Sequence, residues 1–171
     1  MPGRGARSCT QPGSVVSELM RPMPNDSPLL VDDSLWPLLF VQIRGAVSLE
    51  RFEEYLVQRG AYLERREKHV MLFDMRHAPM LPSEHRQRQS EWLKQQSLLI
   101  DAHVLGHAIV ITSPLLRLML STFQKVRPRN GLHLVTPRLD DAARWCLNLL
   151  EEVGCNPPTE RIEAYFGLKP R

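Results

Sequence analysis

The side chains best suited to chemistry gather in one stretch, Lys68–Leu93, KHVMLFDMRHAPMLPSEHRQRQSEWL. Asp74, His77 and His85 could supply an acid–base pair or the start of a metal site. A catalytic imidazole needs an orienting carboxylate within hydrogen-bond reach, and a zinc site needs three or four N, S or O ligands on a tight frame. No second pair at matching spacing accompanies these residues. The expectation is that Asp74 holds loop amides and that both histidines are solvated. Ser113 follows an apolar run, where a nucleophile could stand, but Thr112 and Pro114 occupy the places where a nucleophile elbow needs glycine. A serine followed by proline is instead a helix N-cap with proline at N1. No Gly-rich phosphate-binding fingerprint is present, so nucleotide binding is not expected. Cys9, Cys146 and Cys155 are an odd set at unrelated spacing, which argues against a disulfide framework and against a Cys-x-x-Cys metal site. Cys146 reads as a small core residue and Cys155, just past a helix end, as exposed. No metal, no cofactor and no catalytic residue is expected.

Charge offers a second group of candidates. The chain carries 22 Lys and Arg against 19 Asp and Glu, a formal net charge of +3. The excess is concentrated in Arg117, Lys125, Arg127, Arg129 and Arg138, with no acid between Asp101 and Asp140. Cations near a helix C-terminus complement its dipole, which is the plain explanation. As an anion-binding patch they could also hold an acidic partner or a phospholipid headgroup. Single-stranded nucleic acid would want exposed aromatics among them, and these are missing.

The elements that must position these residues follow from hydrophobic period and punctuation. The chain has 171 residues, of which 43% are apolar and 6% aromatic, enough for one core filled mainly by aliphatic side chains. Residues 1–27, rich in Gly and Pro, read as a disordered arm. Leu29–Asp33 and Trp36–Arg44 read as a hairpin of two strands. Ser48 caps a helix whose apolar face holds Leu49, Phe52, Leu56 and Leu63. The opposite face, with five acids and five bases between Glu50 and Lys68, reads as solvated. Val70–Phe73 is a buried strand ending on Asp74. A helix over about 83–105 has a polar first half and an apolar second half, stopped by Gly106. Ala108–Thr112 is a strand, and the helix from Pro114 turns Leu115, Leu116, Met119, Leu120 and Phe123 inward. Leu132–Val135 is the last strand. A helix over about 138–153 carries the stripe Leu139, Ala143, Cys146, Leu150 and Val153, and Thr159–Phe166 forms a short helix in the tail. The ββαβαβαβα order predicts an α/β fold with a single mixed, mostly parallel sheet flanked by helices. Residues 28–154 form the domain and 155–171 the tail.

This order, the small size and the strand-to-helix elbow ending in Asp74 resemble the STAS family, and most closely its SpoIIAA-like branch, over roughly Leu29–Val153. Asp74 matches the Asp of the antagonist pattern in place. Met75-Arg76-His77 follows where that pattern has a phosphorylatable Ser and a Ser-Gly-Leu turn. The resemblance implies a non-catalytic protein-interaction or regulatory module of a bacterial-type cytoplasm, acting on another protein or on itself near the elbow. Proteins of this branch are also likened to CRAL-TRIO-type lipid-transfer domains, so a binder of a lipid or small apolar ligand on the same scaffold is the alternative, and an enzyme comes third. The candidate partner surface is Asp74, Arg76, Ser83, Arg86 and Arg88: a rigid strand end, then a helix opening whose free amides and arginines present positive charge. No apolar run reaches the ~18 residues of a membrane span, and no signal-peptide pattern opens the chain.

Overall fold

The computed structural model describes residues 27–126 and 132–169. The expectation of disorder over 1–27 therefore falls almost wholly outside the described residues, as do Arg127 and Arg129. Strands β1 (Leu29–Asp32) and β2 (Leu38–Ile43) form an antiparallel hairpin. Helix α1 (Leu49–Glu64) leads to β3 (His69–Asp74). Helices α2 (Ser83–Gln95) and α3 (Ser97–His103) lead to β4 (Val104–Val110), and α4 (Pro114–Val126) leads to β5 (Leu132–Thr136). Helices α5 (Leu139–Glu152) and α6 (Thr159–Phe166) end the described chain. The sheet order is β1-β2-β3-β4-β5, with β2 to β5 parallel. The fold is thus α/β, with one mixed, mostly parallel sheet flanked by helices.

Alternation along the strands sends side chains to two separate cores. Leu38, Phe40, Val70, Leu72, Ala108 and Val110 face α5 and α6 and pack on Ala143, Cys146, Leu150 and Ile162. Leu39, Val41 and Met71 face the other way, against Phe52, Leu56 and Leu63 of α1, with Trp92, Leu99 and Ile100 at the border. Strands apolar on both faces belong inside a sheet covered on both sides. Ser48 caps α1, its Oγ accepting the Arg51 N–H at 3.2 Å. Ser113 serves α4 in the same way, accepting the Leu116 N–H at 3.4 Å. The short helix expected in the tail is present as α6. It docks on the sheet through Ile162, which is fully buried, and through Phe166, whose ring lies edge-on to Phe40 at 5.3 Å.

Three elements of the fold differ from the sequence expectation. The helix over 83–105 is two helices. At Gln96 (φ −96°, ψ 6°) the chain leaves helical geometry, and the bend lets Leu99 and Ile100 reach the core. Gly106 stops no helix but lies inside β4. A Cβ there would come within 2.8 Å of the Leu132 carbonyl oxygen and of the Trp145 ring, and 2.9 Å from Leu149, so glycine lets α5 and β5 approach. The third difference is α4. Leu115 and Leu118 are 56% and 65% exposed, and Leu116, Met119 and Leu120 are only half-buried. Periodicity specifies which face of a helix is apolar, and among the described residues no other element packs closely along this one.

Candidate functional site

The elbow after β3 is held from inside. Register places Asp74 beside Gln42 of β2 and Val110 of β4. Its carboxylate is almost fully buried. Oδ1 accepts the Arg76 backbone N–H at 3.2 Å and Arg76 Nε at 2.9 Å. Oδ2 accepts Arg76 Nη2 at 2.8 Å and Gln42 Nε2 at 2.9 Å. Burial pushes the Asp74 carboxyl up, but the hydrogen bonds from Arg76 and Gln42 outweigh it, and its pKa ends below the usual carboxylate value. The bonds to Asp74 raise the pKa of Arg76. Asp74 thus does hold a loop amide, and it holds a guanidinium as well. The next amide, Met75, donates to the Val110 carbonyl at 2.9 Å, tying the elbow to β4.

Helix α2 opens at Ser83, one residue after Pro82, without a side-chain cap. Ser83 and Arg86 are exposed there. His85 is buried and not solvated, contrary to expectation. Its Nε2 lies 2.8 Å from the Val47 carbonyl oxygen, as the donor, and its ring meets Phe52 at 5.1 Å. This contact pins the start of α2 to the loop before α1. Arg88 is exposed but engaged, with Nε 2.8 Å from Glu53 of α1 and Nη1 3.2 Å from Glu91. His77 is exposed. Asp74, His77 and His85 therefore face separate tasks, and among the described residues no group of three His, Cys, Asp or Glu is placed to hold a metal ion.

Of the basic residues in the candidate anion-binding patch, only Arg117 and Arg138 have described side chains. Arg117 is exposed on α4. Lys125 falls on the last turn of that helix, and Arg127 and Arg129 lie outside the described residues. Arg138 is paired with Asp140 and Asp141, the acids that end the acid-free span. Cys146 is fully buried, and burial drives its thiol far up, whereas Cys155 is half-buried.

One charged residue that the sequence reading assigned to solvent is in the core. Arg59 is 3% exposed. Its guanidinium lies 4.8 Å from the Trp92 ring and 5.7 Å from that of Phe73. Its Nε and Nη2 are buried without a hydrogen bond. The available signal was position. Arg59 stands three residues after Leu56 and four before Leu63, on the apolar stripe of α1 and not opposite it. The charge of Arg59 also bears on His69. Burial lowers the pKa of His69, a bond to the Glu67 carbonyl partly offsets this, and the charges of Arg59, His103 and Arg65 lower it further. Outside Trp92, between α1 and α2, runs a groove of about 410 Å3, with Leu56, Gly60, Trp92 and Gln95 in its lining.

No family model, curated protein or solved structure matches this chain. Among the described residues, no helix is long and apolar enough to cross a membrane.

Proposed function

We propose that this protein is a non-catalytic, STAS-like interaction module that binds another protein, or a second copy of itself, through α4 and the ends of the strands beside it. The observation that carries this reading is the open apolar side of α4. Leu115 and Leu118 are three residues apart, hence on one side of the helix, and both are mostly exposed. Among the described residues the sheet ends at β5, the strand that follows α4, and its Leu132 is 59% exposed. A strand edge and an apolar helix side that follow one another in the chain support protein docking, because they offer both backbone groups and surface to bury. The elbow belongs to the same end of the sheet: β3 and β4 are parallel neighbours, so Arg76 and the start of α4 follow adjacent strand ends. The lock on Asp74 gives that end a rigid base, and Arg86 stands exposed on the opening of α2 beside it.

The test is a double substitution, Leu115→Asp with Leu118→Asp. Sedimentation velocity and chemical crosslinking of the full chain, together with proteins captured on it, are compared with the parent. The parent should form a defined complex that the variant loses while keeping its melting temperature. A strictly monomeric parent with no captured protein, or a complex indifferent to the substitutions, would refute the reading.

A further inference from the structure

Helix α4 is cationic as well as apolar. Its sequence, PLLRLMLSTFQKV, holds Arg117 and Lys125 and no acid. Arg117, between Leu115 and Leu118 in sequence, is exposed as they are. Among the described residues it forms no ion pair. Two copies of α4 laid on one another would oppose like charges, which costs affinity. A better fit for this helix is a groove with an apolar floor and an acidic rim, and the chain carries one.

The groove between α1 and α2 has Glu53, Glu64 and Glu91 in its lining against a single cation, Arg88. Arg88 engages Glu53 and Glu91 and so ties the two helices together. Glu64 is exposed and forms no ion pair among the described residues. Glu53, Val57, Gly60 and Glu64 follow one another at steps of four, three and four residues, which puts them in one line along α1. The middle of that line is apolar and low. Val57 is 64% exposed, and Trp92 lines the groove from α2. Glycine weakens a helix relative to alanine, yet nothing stands within 4 Å of the place a Gly60 Cβ would occupy. Packing against the chain's own atoms does not require glycine there, and the dip it leaves admits a side chain from outside. The α1 wall from Glu53 to Glu64 runs about 16 Å and α4 about 20 Å, at a rise of about 1.5 Å per residue.

We propose that α4 of one copy of this chain docks in the α1–α2 groove of a second copy. Leu115 and Leu118 cover Val57, Gly60 and Trp92, and Arg117 meets the acidic rim. This pairing rests on the reading of α4 as the docking surface and adds the surface that receives it. Burial of the leucines supplies the affinity, and the opposite charges set orientation and speed of encounter. The two surfaces differ, so the contact is heterologous. A defect in either surface breaks it, and one sound copy of each is enough to rebuild it.

The test is complementation between two variants of the full chain, read by sedimentation velocity over a concentration series. The α4 variant carries Leu115→Asp with Leu118→Asp, and the groove variant carries Val57→Lys with Gly60→Leu. The parent should self-associate, less tightly as salt is added. Each variant alone should lose at least about tenfold in affinity, the scale of one buried aliphatic side chain, and should keep the parent's melting temperature. An equimolar mixture should regain a complex with one copy of each, because the sound α4 of the groove variant meets the sound groove of the α4 variant. Should the groove variant fold poorly, Glu64→Arg replaces it and should weaken association more at low salt than at high. The inference is overturned, and the reading of α4 stands, if the groove variant associates as the parent does while the α4 variant does not. The same holds if the parent is monomeric yet captures a different protein through α4. A mixture that stays monomeric also overturns the inference. If the α4 variant associates like the parent, both the inference and the reading of α4 fall.

Discussion

Arg76 grips Asp74, two residues behind it, at both carboxylate oxygens, with Nε 2.9 Å from Oδ1 and Nη2 2.8 Å from Oδ2. The pair closes the elbow on itself, and Gln42 carries the lock across to the neighbouring strand. Because the folded-state pKa of Asp74 lies below that of an unfolded aspartate, about 3.9, the carboxylate adds stability above that pH. It withdraws that stability as pH falls through the folded value. Asp74→Asn should lower stability at neutral pH by roughly 2 kcal/mol, the scale of charge-assisted hydrogen bonds. It should also flatten the loss of stability on acidification below about pH 4. Urea melts of parent and variant between neutral and acid pH check both; parallel pH profiles would show that the pair adds nothing.

Two glycines should respond oppositely to the same substitution. Gly106→Ala forces a methyl group against the Leu132 carbonyl and the Trp145 ring, and should cost roughly 1–3 kcal/mol through overpacking. Gly60→Ala meets no atom and should stabilise by up to about 1 kcal/mol through helix propensity. Denaturant midpoints of the two variants must shift in opposite directions.

Helix α6 should count as core. Ile162 is fully buried under the sheet, so Ile162→Ala should cost about 2–5 kcal/mol. A midpoint within ~0.5 kcal/mol of the parent, as for a surface change, would mean that α6 is only loosely attached.

Thiol reactivity should separate two of the cysteines. The thiolate is the reactive form, and burial holds the Cys146 thiol in its protonated state. Brief alkylation of the native protein, mapped by mass spectrometry, should label Cys155 well before Cys146. Equal labelling would show that the α5 core opens readily.

Much of this arrangement could be read along the chain, because the signals were local. Val70–Phe73 is apolar at every position, Ser48 and Ser113 stand before helices, and the apolar stripe of α5 keeps its period from Leu139 to Leu150. Where the reading failed, the deciding atoms are distant in sequence. Gly106 looks like a helix stop until Trp145 and Leu149 are laid over it. Asp74 was legible as a holder of amides, but its bond to Gln42 depends on strand register. His85 looks solvated among arginines and glutamines until Val47 meets it. Arg59 was counted among its charged neighbours although its spacing from Leu56 and Leu63 places it among the apolar ones. A charged residue in an apolar period is a conflict between chemistry and geometry, and such conflicts gather at functional sites.

The strand order has a consequence for how the protein is made. The strands are laid down side by side in the order of synthesis, and α1, α2 and α3 cover one face as they emerge. The opposite face, with Leu38, Phe40, Val70, Leu72, Ala108 and Val110, is closed, among the described residues, by α5 and α6, which follow the last strand. A ribosome that has delivered all five strands therefore still holds a sheet with one oily side bare. Until the final helices clear the exit tunnel, that side is a target for chaperones and for neighbouring nascent chains. A premature stop before Leu139 would leave a product with every strand present and half of its core missing.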